Sequence, residues 1–338
     1  MREFAFSLVL MLIAHCAAAF EIEDHRWFGA DNASQTVTIL STADIRFFAP
    51  MIESFLATNP AVAVDYTVAS STEVMRAIHA ERRPFDLVIS SAMDLQTKLA
   101  NDGFVQRHEP DGAHVMADWA VWNDMVFAFT QEAAAIVLSN KVFEDLAVPR
   151  SRQELIALLR ENPDLFRGKV GTYDIRQSGL GYLFATQDTR ASDTYWRLTE
   201  VMGGLDAKLY CCSSDMIDAV EDGTLAVAYN VLQSYAINRQ DTGRFTVVLP
   251  SDFSTVMLRS VVIPNNAPTV EMARLFLDHM LGQAFGPTGN AALGQSALDQ
   301  RNEASLHRIR LGPGLLVFLD QLKKRAFLQE WTNAILQP

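Results

Sequence analysis

Long apolar runs are scarce in this 338-residue chain, which argues against a bundle of membrane-spanning helices. The one candidate, residues 4–13, is shorter than the roughly 20 residues a spanning helix needs. It follows Arg2 and precedes Ala17, Ala18 and Ala19, a small-residue cleavage site. Residues 1–19 therefore read as a secretory signal peptide, and the mature protein is expected in the periplasm. Cysteine is nearly absent too. Of three in all, Cys16 falls in the leader, and Cys211 and Cys212 are neighbours. A bridge between adjacent residues is geometrically awkward, so no disulfide framework holds this fold. The pair reads as two thiols packed at a strand end, with a strained vicinal disulfide as the other option. No histidine or carboxylate stands at ligand spacing from them, and the histidines are scattered, so no metal centre is expected. Basic stripes are also missing. The formal net charge is −12, which argues against a nucleic-acid partner. There is no P-loop, no HExxH, no nucleophile elbow and no GxGxxG opening a helix after a strand. An enzyme is not expected, and no cofactor is implied.

What is present is a steady alternation of strand and helix patterns, and the remaining chain is long enough for about two domains. "QTVTILSTAD" is a β-branched run ending at Ser41 and Thr42. In the segment after it, Phe47, Phe48, Met51, Ile52, Phe55 and Leu56 fall on one helical face. "AVAVDYTVASSTE" is a second strand, ending at Ser70 and Ser71, with Ser70 and Glu73 at capping-box spacing ahead of a helix over 73–81. "PFDLVISSAMD" is a third, ending at Ser90 and Ser91. This β-α-β-α-β-α order implies a doubly wound, mainly parallel sheet. The carboxyl edge of such a sheet forms the ligand crevice, and all three strands end there in small hydroxyl residues.

A second α/β unit follows, and its polar residues also collect at strand ends: Tyr173, Arg176 and Ser178; Ser213 and Ser214; Tyr229 and Asn230, with Ser234 about a turn beyond. Here "VAYNVLQSY" reads as a strand ending near Tyr229 and handing over to a helix. Tyr229 and Asn230 are thus expected in the crevice, and Tyr235 behind it. Arg259 lies in an extended, otherwise apolar stretch, where a charge needs either a structural carboxylate or the ligand. The chain then returns through a β-rich run, giving residues 20–120 plus 250–338 as one lobe and 121–249 as the other. The crossings, and hence the hinge, are expected near 118–126 and 244–250. Clefts between lobes are favoured ligand sites.

Taken in order, "VTILSTAD", "FDLVISSAMD", the stretch from "LSNKVFEDL" to "GKVGTYD" and "DHMLGQAFGPTGNAALG" resemble the periplasmic solute-binding proteins of ABC transporters. The likeness is to the type II two-lobe arrangement and covers essentially the whole chain after the leader. It implies a monomeric binding protein that carries a small solute to an inner-membrane ABC permease. The chain is most similar to the branch labelled iron(III)-binding, and within it to relatives that handle phosphorylated or carboxylated molecules. Iron-binding members carry two adjacent tyrosines where this chain has "YNVLQSY", with Tyr229 and Tyr235 six apart. Tyr229 would be the metal ligand if the solute were ferric ion. Neutral hydroxyls, amides and an arginine suit an organic anion better. The ligand-binding residues expected on this basis are Ser41, Thr42, Ser70, Ser71, Ser90, Ser91, Tyr173, Arg176, Ser178, Tyr229, Asn230, Ser234 and Arg259. A ligand-sensing subunit for a membrane histidine kinase is the other role the resemblance allows.

Overall fold

The computed structural model describes residues 19–110, 116–237, 239, 242–286 and 305–337, so nearly all of the leader and the Gly-rich segment 287–304 lie outside the described residues. The first lobe is built from β1 (Asp24–Phe28), β2 (Gln35–Ser41), α1 (Ile45–Thr58), β3 (Val62–Val68), α2 (Ser71–Met75), β4 (Leu87–Ser90) and α3 (Met93–Asn101). β2 pairs in parallel with β3 and β4, and β1 runs antiparallel along β3. The apolar stripe of α1, with Phe48, Met51, Ile52 and Phe55 fully buried, packs on Val37, Ile39 and Tyr66 of this sheet. Burying each such side chain contributes about 1.5–3 kcal/mol.

The chain then crosses through β5 (Val121–Trp122) and β6 (Val126–Ser139). It continues through α4 (Arg152–Glu161), α5 (Pro163–Phe166), β7 (Val170–Tyr173), α6 (Gly179–Ala191), α7 (Thr194–Gly204), β8 (Lys208–Tyr210), α8 (Ser213–Glu221), β9 (Val227–Leu232), α9 (Gln233–Ile237) and β10 (Phe245–Val248). It returns through β11 (Ser254–Val262), α10 (Val270–Phe285) and β12 (Leu306–Arg308), and ends in α11 (Gln321–Ile335). β7 pairs in parallel with β8 and β9, so each lobe has a parallel centre, as the alternation implied.

The crossing differs from the expected one. β6 is buried along its whole length and belongs to both lobes: Phe127 to Ala133 pair with β11, and Ala134 to Leu138 pair with β9. The change of partner at Ala133–Ala134, not residues 118–126, therefore marks the first crossing. The strand continues through the polar Gln131 and Glu132. Glu132 stays in the strand because Arg259 of β11 neutralises it, with Nε–Oε1 2.8 Å and Nη2–Oε2 3.2 Å.

The last helix also departs from its expected lobe. Phe327, Trp331 and Ile335 of α11 join the second-lobe core, and the Phe327 ring lies 5.5 Å from that of Trp196. A close approach of α7 to α11 requires Gly203, where a Cβ would stand 2.3 Å from the Ala334 carbonyl oxygen.

Where α3 meets this C-terminal region, Asp94 is 3% exposed, and its Oδ1 has no partner among the described residues. Burial pushes its carboxyl up to about 7, with only partial relief from backbone N–H groups and Lys324. Because the folded state holds the proton more tightly than the unfolded one, the stabilisation is complete below the ordinary carboxylate range. It is lost as pH rises toward 7. Asp94→Asn should flatten this decline in a series of urea unfolding midpoints between about pH 4 and pH 7. A decline that persists unchanged in the variant would assign it to another group.

Candidate functional site

The two lobes meet at the carboxyl ends of their parallel strands. The pocket between them has a cavity volume of about 50 Å³ and shares lining residues with a larger vestibule of about 580 Å³. From the first lobe, Thr42 follows β2, Ser70 and Ser71 follow β3, and Ser91 follows β4. From the second, Tyr173 ends β7, Ser213 and Ser214 open α8, and Ser178 caps α6. These hydroxyls line one cavity, as the strand-end argument expects.

Neighbouring residues at the same strand ends point elsewhere. Ser41 and Ser90, the last residues of β2 and β4, are buried and accept hydrogen bonds from the amides of Ala43 (3.0 Å) and Ala92 (3.1 Å). Successive side chains on a strand face opposite ways, so of these two pairs only Thr42 and Ser91 reach the cavity, whereas Ser70 and Ser71, beyond the end of β3, both do.

The opening of "YNVLQSY" is placed differently from expectation. β9 does not end at Tyr229 but runs on to Leu232. Asn230 is the extra residue of a bulge opposite Ala135 and Ile136, with a left-handed φ of 64° that asparagine tolerates. Its side chain donates to Asp188 at 2.7 Å, and Tyr229 lies in the same buried cluster. The Tyr229 hydroxyl accepts from Arg152 Nε at 2.6 Å and donates to Asp188 at 3.1 Å. Tyr229 and Asn230 thus stand away from the pocket wall, and burial raises the Tyr229 phenol well above its ordinary range. A ferric ion in the cleft is out of its reach.

Ser234 and Arg259 are also interior. Ser234 donates to Glu132 at 2.5 Å, and Arg259 takes the structural-carboxylate alternative by pairing with that same glutamate. Arg176 lines the vestibule rather than the pocket, and its fork is occupied by Asp174, at 2.8 and 2.7 Å.

Sequence reasoning left several pocket-lining groups out of the expected set: Cys211, Cys212, Ser213 and Ser214, and Glu23, Asp44 and Tyr235. The longer β9 carries Tyr235 forward, where its ring stacks on Phe47 at 5.4 Å. Its hydroxyl accepts from the Asp44 amide at 3.2 Å. Asp44 also stands at the N-terminus of α1, two residues past Thr42, a position that the strand-end rule could have extended to. Burial raises the Asp44 carboxyl above its ordinary value, partly offset by Arg46 and Arg259. Burial, with Asp44 and Asp215 nearby, likewise raises Glu23.

The lobes touch directly across this pocket. Thr72 donates to the Gln177 carbonyl at 2.5 Å, and the Leu180 amide donates to Ser71 Oγ at 3.2 Å. The lobes are thus in contact, and the pocket walls carry hydrogen-bonding groups from both sides. Its construction, hydroxyls and carboxylates of both lobes around one cavity, suits the capture of a small solute.

This chain belongs to the bacterial extracellular solute-binding proteins, the binding components of ABC transporters, whose family profile matches residues 37–288. No protein of curated function matches the sequence. A substrate-binding protein of an ABC transporter from Agrobacterium tumefaciens is 31% identical, with a TM-score of 0.87 over 92% of this chain and 98% of that one. The fold is shared with AfuA from Actinobacillus pleuropneumoniae, solved with fructose-6-phosphate bound (14% identity, TM-score 0.70, 90% and 100% covered). It is also shared with iron-bound HitA from Pseudomonas aeruginosa (14%, TM-score 0.66, 88% and 99% covered). Family and neighbours are binding proteins, and among the described residues no helix is long and apolar enough to cross a membrane.

Proposed function

We propose that the protein captures a small phosphorylated or carboxylated organic anion that also carries hydroxyl or amino donors, and delivers it from the periplasm to an inner-membrane ABC permease. The observation that carries this reading is the convergence of helix N-termini on the hydroxyl-lined pocket. The N-terminal flanking residues of α1 (Asp44), α6 (Ser178) and α8 (Cys212) all line it. Free N–H groups and the helix dipole give such ends partial positive charge. α8 has no side-chain cap, so its first-turn amides are available to an oxyanion together with Ser214. Asp44 and Glu23 set the other requirement: the far end of the solute must donate hydrogen bonds.

A thermal-shift screen of sugar phosphates, hydroxy acids and aminophosphonates, set beside simple amines and polyamines, tests the class. A true solute at 100 times its dissociation constant should add about 2.7 kcal/mol of stability. Stabilisation by amines with none by any anion would overturn the proposal. For the solute found, Ser214→Ala should cost about 1.5–3 kcal/mol, or roughly ten- to a hundredfold in affinity by calorimetry. Unchanged affinity would remove α8 from the anion site.

A further inference from the structure

We propose that Glu23, Cys211 and Cys212 form a site for a thiophilic divalent cation, zinc or its heavier congeners, that bridges the two lobes at the mouth of the solute pocket. One carboxylate oxygen and the two sulfurs all lie within 4.8 Å of one another. Both thiols are free. Glu23 comes from the chain entering β1 in the first lobe, and the cysteines come from the turn between β8 and α8 in the second. The sequence conceals the site because its third member is far away along the chain, and closing the lobes is what assembles it.

The surroundings suit a cation. All three groups line both the pocket and the vestibule, so an ion can reach them from outside. Asp215 lies beside them, with an oxygen 3.5 Å from the Cys211 sulfur, and adds negative charge at the site. Two thiolates and one carboxylate, with the fourth position left to water, make a set of the kind zinc and cadmium accept, and the sulfurs select against magnesium and calcium. Negative charge is concentrated here: Asp44, Asp215 and Glu21 all act on Glu23. The vestibule's one arginine, Arg176, is engaged by Asp174. An ion held by ligands from both lobes favours the closed form and slows escape of whatever lies beneath it.

The probe is Cd²⁺, titrated in the absence of any organic solute into protein whose two thiols have been reduced and counted. This keeps the outcome separate from that of the anion reading. One equivalent should bind, with an ultraviolet thiolate-to-cadmium charge-transfer band. Cys211→Ser and Cys212→Ser should each abolish the band. Glu23→Ala, with the fold intact by circular dichroism, should weaken binding at least tenfold. Reduced protein that takes up no Cd²⁺ would overturn the proposal. So would a Cd²⁺ affinity that Glu23→Ala leaves unmoved, because the ion would then sit on the second lobe alone.

Discussion

Glu132→Ala should lower the free energy of unfolding by about 3–5 kcal/mol, because it leaves the Arg259 guanidinium buried without its counter-charge. Arg259 is wholly inaccessible and Glu132 is 1% exposed. The carboxylate also accepts from Thr130 at 2.9 Å and Ser234 at 2.5 Å, so the loss strands three donors together. Burial by itself would raise the Glu132 carboxyl. Arg259, together with the hydroxyls of Ser234 and Thr130, more than offsets it and holds the group below its ordinary range. The folded state thus binds the Glu132 proton less readily than the unfolded one. The pair's contribution is present above the ordinary carboxylate range and fades as pH falls through the depressed folded value. Urea unfolding at neutral pH measures the cost. Replacing both members by methionine provides the control and should recover most of the loss, since an apolar pair of similar volume needs no counter-charge. A loss below about 1 kcal/mol in the single variant would mean that water reaches the site on removal of the carboxylate.

Gly179→Val should hold the cleft open. A Cβ at this position would lie 2.8 Å from Ser71 Oγ and 2.9 Å from Leu95 Cδ1, both in the opposite lobe. The strain exists only when the lobes meet, so the unliganded protein should melt almost unchanged. Overpacking of this kind costs about 1–3 kcal/mol, or roughly five- to a hundredfold in solute affinity. Small-angle scattering of the variant at saturating solute should give a larger radius of gyration than the parent at saturation. Equal radii together with equal affinity would show that Ser71 and Leu95 yield, and that Gly179 is not needed for closure.

The alternation of strands and helices was legible in the sequence because hydrophobic period is a local property. For the same reason the hydroxyls at strand ends could be placed together at one edge of each sheet. Thr42, Ser70, Ser71, Ser91, Tyr173 and Ser178 line the pocket. What the sequence could not reveal is what a distant partner decides. Asn230 looks like the end of a strand, yet Asp188 draws it inward and a bulge carries β9 two residues further. That extension turns Tyr229 into an interior group and brings Tyr235 to the pocket wall. Glu132 looks like a strand breaker until Arg259 arrives from β11. The amphipathic pattern of α11 announces a buried face but not which lobe covers it. Glu23 is unremarkable until the lobes bring it to the cysteines.

Because β6 is one unbroken strand, each of its halves can keep its own neighbours while the lobes swing, and few hydrogen bonds of the sheet need be given up. What opening does surrender is the small set of contacts across the mouth: Thr72 with Gln177, Ser71 with Leu180, and Asp44 with Tyr235. The apparent affinity for any cargo includes the equilibrium between open and shut forms, whatever the cargo is. Of these contacts, Thr72 with Gln177 lies outside the pocket wall, so retention time and choice of cargo are written partly on different residues. Inheritance can then adjust how long cargo is held without redrawing what is recognised.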